Sequence, residues 1–232
     1  MLASSSLARR PRRSQADEVH QLGESLDKLY ADGEYEKAIA AGEELLTLAS
    51  RQSKQANPLV LVKLAGAYRA AKNPGKAEAT YKRAIEVLEG STDAPNPLLG
   101  HALERYSCFL ARNGNKAQAI GMQKRAVSII APLPKDFRSG PISGRVTPGQ
   151  TISLPQPKYP ADARNQHLEA TVSVLVLIDE TGKPLTACAE SGDESLAVAG
   201  EEVAFNARWT PTMLDNLPVR VNGRVIYHFV AK

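Results

Sequence analysis

The sequence predicts an α+β protein built in two parts: an all-α run of helical repeats, then a small α+β unit with a three-stranded antiparallel sheet and two helices. Three observations carry this prediction. From Gln15 to Ala131 apolar residues recur at helical spacing and are interrupted at regular intervals by Gly, Asn and Pro. Between Pro132 and Pro157, six prolines and three glycines fall within 26 residues, and neither a helical nor a strand period is present. From Lys158 onward apolar alternation appears, with Val172, Val174, Val176 and Ile178 spaced two apart.

Residues 1–14 are read as a disordered tail or the remnant of a targeting segment. Met1 to Arg13 is rich in Ser, Ala and Arg but lacks the apolar run of ~7 to 15 residues that defines a secretory signal. Arg9, Arg10, Arg12 and Arg13 sit there with no acid, and they account for the excess charge of the chain. The whole sequence has 29 Lys and Arg against 25 Asp and Glu, whereas residues 15–131 hold 15 and 14, and residues 132–232 hold 10 and 11. A body so close to neutrality lacks the field that phosphate backbones require, so no nucleic-acid partner is expected. The longest apolar run, Val174 to Ile178, is far below the ~20 residues of a membrane helix, so no membrane span is expected in this chain.

Residues 15–131 divide into three helix-turn-helix units. In the second, Leu61, Leu64, Ala65 and Tyr68 share one face, Asn73-Pro74-Gly75 turns, and Ala77, Tyr81 and Ala84 form the facing stripe. The first repeats this with Leu22, Leu26 and Leu29, a turn at Asp32-Gly33, then Tyr35, Ala38, Gly42 and Leu45. The third has Leu103, Tyr106, Ser107 and Leu110, a turn at Asn113-Gly114, then Ala119, Gln123 and Ala126. These offsets resemble the tetratricopeptide repeat, with loops longer than its usual 34-residue period allows. That resemblance implies a concave groove, and helix phase puts His20, Asp27, Tyr30, Arg69, His101, Glu104 and Arg112 on it. A second protein or peptide is the expected occupant.

Residues 132–157 read as a Pro-rich linker able to reach ~80 Å at ~3.1 Å per residue. It would hold two modules apart on a tether. Residues 158–232 then read as helix Ala161–Gln166, a strand through Ile178, a turn at Asp179 to Lys183, a strand from Pro184 to Ala189, a helix from Glu194 to Arg208 and a last strand, Val219 to Val230, bent or bulged near Asn222-Gly223.

Pro157-Lys158-Tyr159-Pro160, the turn from Asp179 to Gly182, Ser191-Gly192, Arg208-Trp209-Thr210-Pro211 and the terminal apolar strand together resemble the C-terminal domain of the energy transducer TonB. The resemblance covers about a third of the chain. It implies a domain in the periplasm or cell envelope of a Gram-negative bacterium that captures a segment of an outer-membrane TonB-dependent receptor by strand addition. An edge strand supports this through its row of unpaired amide and carbonyl groups. Here the edge would be Arg224, Val225, Ile226, Tyr227, His228, Phe229 and Val230, with Val225, Tyr227 and Phe229 facing the core. Gln156, Tyr159, Pro160, Trp209 and Pro211 carry the family motif, and Gln156 falls where the family also contacts its receptor. The resemblance departs from a complete transducer in having helical repeats where a membrane helix and its motor contacts would be. A periplasmic structural or assembly scaffold with no role in energy transduction therefore stays open as the alternative.

Enzymatic chemistry has no support. His20, His101, His167 and His228 are scattered outside any metal-ligand spacing, so no metal or cofactor is expected. Ser25-Leu26-Asp27-Lys28 matches S-x-x-K, but Ser25 falls at an inter-helix packing position and no companion motif occurs. Cys108 and Cys188 lie in different predicted units, so each is expected as a small buried residue with no disulfide between them.

Overall fold

The computed structural model describes residues 15–51, 55–90, 96–131 and 144–230. The expectations for residues 1–14 and for the first part of the linker lie outside these residues.

Three helical hairpins open the chain: α1 Gln15–Ala31 with α2 Tyr35–Arg51, α3 Pro58–Ala70 with α4 Pro74–Glu89, and α5 Pro97–Arg112 with α6 Lys116–Ile130. Asn-Pro steps start three of these helices. The side chain of Asn57 accepts from the Leu59 amide at 2.9 Å, Asn73 from Lys76 at 3.2 Å, and Asn96 from Leu98 and Leu99 at 3.1 and 3.3 Å. Each cap satisfies first-turn donors, and the proline behind it occupies a position whose N–H has no helical acceptor. Fully buried Ala38, Ala77, Ala84 and Ala126 let neighbouring helices approach closely, while Tyr81, Tyr106 and Phe109 fill the space between them.

The segment read as an unpatterned linker already contributes to the second unit. Strands β1 Val146–Thr147 and β2 Thr151–Ser153 are followed by helix α7 Ala161–Asn165, strands β3 Ala170–Ile178 and β4 Pro184–Ala189, helix α8 Glu194–Phe205, and strands β5 Arg208–Trp209, β6 Thr212–Leu214, β7 Leu217–Val219 and β8 Val221–Phe229. Strand β1 pairs with β6, and β2 pairs with β5. Runs of two or three residues carry no readable period, which is why the sequence concealed them.

The main sheet has the order β4-β3-β8, all antiparallel. Its β3–β8 register runs unbroken from Ala170 opposite Phe229 to Ile178 opposite Val221. The bulge expected at Asn222-Gly223 is therefore absent, and the one irregularity of this sheet lies between Leu177 and Ile178 on the β4 side. One face, bearing Val172, Val174, Val176, Val225, Tyr227 and Phe229, is buried under Leu196, Ala197 and Ala204 of α8.

The two units are docked against each other. Gly33, in the α1–α2 turn with φ +70°, meets Pro160 so closely that a Cβ there would lie 2.4 Å from the proline Cα. The carbonyls of Asp32 and Gly33 accept from the amides of Ala161 and Asp162 at 3.2 and 3.3 Å, so the turn of the first repeat caps the start of α7. Val198 of α8 enters the core of the first repeat beside Tyr35, Ala67 and Ala70.

Candidate functional site

Strand β8 lies at one end of the main sheet and, among the described residues, pairs with β3 alone. The ladder fixes which of its backbone groups are free. The carbonyl of Ser173 accepts from the Glu190 amide at 2.8 Å, so the polar backbone of Ser173 faces β4. Ser173 is opposite Ile226 on β8. In an antiparallel pair, opposing residues that do not bond to each other point their N–H and C=O groups outward. The N–H and C=O of Ile226 therefore face the open edge, and by alternation so do those of Asn222, Arg224 and His228. Val225, Tyr227 and Phe229 spend theirs on β3.

Side chains follow the same alternation. Val225, Tyr227 and Phe229 are buried, whereas Ile226 and Val230 are 54% and 62% exposed. Arg224 donates to Glu190 at 2.9 and 3.2 Å, and His228 Nδ1 lies 3.0 Å from the Thr171 hydroxyl. These cross-strand pairs hold the polar side chains over the sheet face, and no described strand covers the backbone edge.

Of the motif residues, Tyr159 supports this strand directly. It packs at a tilt on Phe229, ring centroids 5.9 Å apart, and donates its hydroxyl to the Leu168 carbonyl. Pro160 contacts Gly33, as described above. Trp209 belongs to β5, accepts a place in the C-terminal core, and donates its amide to Gly182 at 3.0 Å. Gln156 and Pro211 are exposed.

The C-terminal unit docks against residues expected on the repeat groove. Four of the groove's predicted residues meet it. Arg69 donates from Nη1 and Nη2 to the two carboxylate oxygens of Glu201 at 2.7 and 2.9 Å, and from Nε to Glu194 at 2.7 Å. Arg112 donates from Nε to Glu194 at 2.6 Å and from Nη2 to the Gly192 carbonyl at 2.7 Å. Glu104 accepts from the Ala187 amide at 3.0 Å. His101 packs on Phe205 with ring centroids 5.4 Å apart. Tyr30 sits against Tyr35 at 5.8 Å, within the first repeat. His20 and Asp27 are exposed and pair with Glu24 and Lys63.

Sequence reasoning missed the residues that answer these. Glu201 is completely buried, also accepts from the Ala189 amide at 2.8 Å, and lies 3.6 Å from Arg105, whose guanidinium spans Glu104, Glu201 and Glu202. Burial pushes the Glu104 carboxyl up to about 7, against the lowering effect of Arg105 and the Ala187 amide. Burial also drives His101 down to about 3, helped by the positive charge of Arg105.

Cys108 of α5 and Cys188 of β4 form a disulfide with Cα atoms 5.1 Å apart. The expectation of two unpaired cysteines fails for one reason. It assumed that the units stay apart, whereas docking brings α5 against β4. Glu104, Cys108 and Cys188 also cluster closely enough for metal ligation, but the bonded sulfurs are spent.

Residues 155–230 match the family model described as Gram-negative bacterial TonB protein C-terminal. The C-terminal unit is a TonB C-terminal domain. No curated protein matches the chain. The match covers about a third of the chain and supports a TonB-like protein of envelope energy transduction. No helix among the described residues is long and apolar enough to cross a membrane.

Proposed function

We propose that this chain is a non-enzymatic adaptor of the Gram-negative periplasm that captures a segment of an outer-membrane TonB-dependent receptor by adding it as a strand to β8. The observation that carries the proposal is the outward row of backbone groups at Asn222, Arg224, Ile226 and His228, set on a strand whose other side is locked to β3. Each added ladder bond contributes net stabilisation of about 0.5–1.5 kcal/mol, so an extended peptide gains affinity with little demand on side chains.

The helical repeats serve as a cradle in this proposal. They grip the TonB domain through α8, which covers one face of the sheet, and β4, the edge opposite β8, so the cradle and the β8 edge work without competing. The alternative of a structural scaffold has its own support in the same docked interface, which consumes the groove that a repeat protein would offer to partners.

Amide exchange separates the two. In the free protein the amides of Arg224, Ile226 and His228 should exchange rapidly while those of Val225 and Tyr227 are protected. A receptor segment should protect the even-numbered set selectively. Unchanged exchange at those amides in the presence of saturating receptor segments would favour the scaffold.

A further inference from the structure

The second face of the main sheet is covered only in part. Over β4 it is closed by the third repeat, where Cys108 bonds Cys188 and Gln123 donates to the Thr186 hydroxyl at 3.3 Å. Over β3 and β8 it is open among the described residues. Between the third repeat and the sheet run two adjoining hollows of about 550 and 570 Å³ that share Gln123, the first over Leu175 and the end of β4, the second over Leu177 and Asn222. Their walls mix aliphatic and polar side chains: Ile120 and Val127 of α6 and Leu175 and Leu177 of β3 supply aliphatic surface, beside Arg112, Glu190 and Ser128. Ile120 is 53% exposed, and α6 buries fully only Ala119 and Ala126 along its length. The last helix of a repeat stack ordinarily presents a polar outer face, so apolar residues over a hollow of ligand size mark a surface shaped for an occupant.

Two features define that occupant. Lys116 lines one hollow and Lys124 the other, and neither has an ion-pair partner among the described residues, whereas Arg112 and Arg224 nearby are neutralised by Glu194 and Glu190. The unpaired charge in the cleft is thus positive. The cleft also reaches Asn222, the first outward-facing residue of β8.

We infer that the cleft between α6 and the open half of the sheet binds an extended segment of alternating acidic and aliphatic residues, continuous with the strand added to β8. The inference rests on the strand-addition proposal above. Aliphatic side chains of the segment pack between Ile120, Val127, Leu175 and Leu177, and its carboxylates pair with Lys116 and Lys124. A receptor segment would then be read twice, by backbone along Arg224 to His228 and by side chains beyond Asn222.

The test uses the full chain and three synthetic probes in titration calorimetry: a neutral Thr-Val peptide matched to β8, the same peptide carrying a Glu-Leu tail at either end, and the tail alone. One orientation of the tailed peptide should bind roughly tenfold more tightly than the untailed one. Ile120→Ser and Lys124→Glu, both at exposed positions, should each erase most of that gain and leave the untailed peptide unaffected. Equal affinity of tailed and untailed peptides, or a gain that survives both substitutions, overturns the inference. Binding of the tail alone that depends on Ile120 and Lys124, with no binding of the untailed peptide, keeps the cleft and overturns strand addition instead. Self-association abolished by Ile120→Ser would assign the cleft to a second copy. A tail affinity that rises only when residues 132–143 are replaced by Gly and Ser would assign it to the chain itself. Either result also overturns the inference.

Discussion

Arg69 of the repeats grips Glu201 of the TonB domain with two parallel hydrogen bonds, Nη1 to Oε2 at 2.7 Å and Nη2 to Oε1 at 2.9 Å, and both side chains are almost wholly shielded from water. A pair this buried is costly to desolvate and far costlier to break. It therefore acts as a register pin: any misplacement of α8 along the groove leaves a guanidinium or a carboxylate buried alone.

Removing one partner should consequently lower the unfolding free energy by about 3–5 kcal/mol. Glu201→Gln keeps the side-chain shape and an acceptor for the Ala189 amide, so its loss reports the charge. Arg69→Met combined with Glu201→Gln should cost clearly less than the two single losses added together. Urea denaturation of the four proteins checks this, and simple additivity would mean the pair is not coupled.

The disulfide makes a second prediction. Closing a loop of 80 residues between Cys108 and Cys188 restricts the unfolded chain by about 4–5 kcal/mol in the chain-entropy account. Cys108→Ser and Cys188→Ser should lower the melting temperature by similar amounts, and reductant should destabilise the parent protein while leaving both variants unchanged. Thermal melts with and without dithiothreitol read this out, and thiol titration of the parent should find no free cysteine. The prediction fits an oxidising compartment such as the periplasm.

Glu104 supplies a prediction with a definite sign. Its folded-state carboxyl titrates at about 7, above its ordinary 4.5, so the native state holds a proton that the unfolded state has lost between those values. Stability from this group is complete below about pH 4.5 and is lost as pH rises to about 7. His101 acts in the opposite sense: held down near 3 from an ordinary 6.5, it costs stability as pH falls through that range. Glu104→Gln removes the first effect and leaves the second. Relative to the parent, this variant should gain a few kcal/mol in unfolding free energy between about pH 4.5 and 8. Urea titrations at several pH values test it, and a constant difference between the two proteins would contradict it.

The sequence disclosed some of this and concealed the rest for physical reasons. Alternation in Val225, Tyr227 and Phe229 assigned the buried face of β8 correctly, because a period of two is a direct consequence of strand geometry. The turns at Asp32-Gly33, Asn73-Pro74-Gly75 and Asn113-Gly114 fall between paired helices as read. Docking was hidden, because helix phase shows that a face is buried without showing what buries it. A signal was present: α3 and α5 carry apolar or small residues nearly all round, with Arg69, Glu104, Arg105 and Arg112 among them, while α8 is apolar around Glu194, Glu201 and Glu202. A helix apolar on every side must be covered on every side, and opposite charges on two such helices mark them as partners. Cys108 and Cys188 follow from that docking and could not be paired without it.

The central claim, capture of a receptor segment by the β8 edge, is tested most directly by titration calorimetry of receptor segments against the parent and Ile226→Pro. Proline at 226 removes an N–H that faces outward and so costs no bond to β3, while denying the incoming strand a donor in the middle of its ladder. Retained fold, seen in an unchanged far-UV spectrum, together with loss of peptide binding is the predicted result. Equal affinity of the parent and the folded variant for the receptor segments would contradict the account.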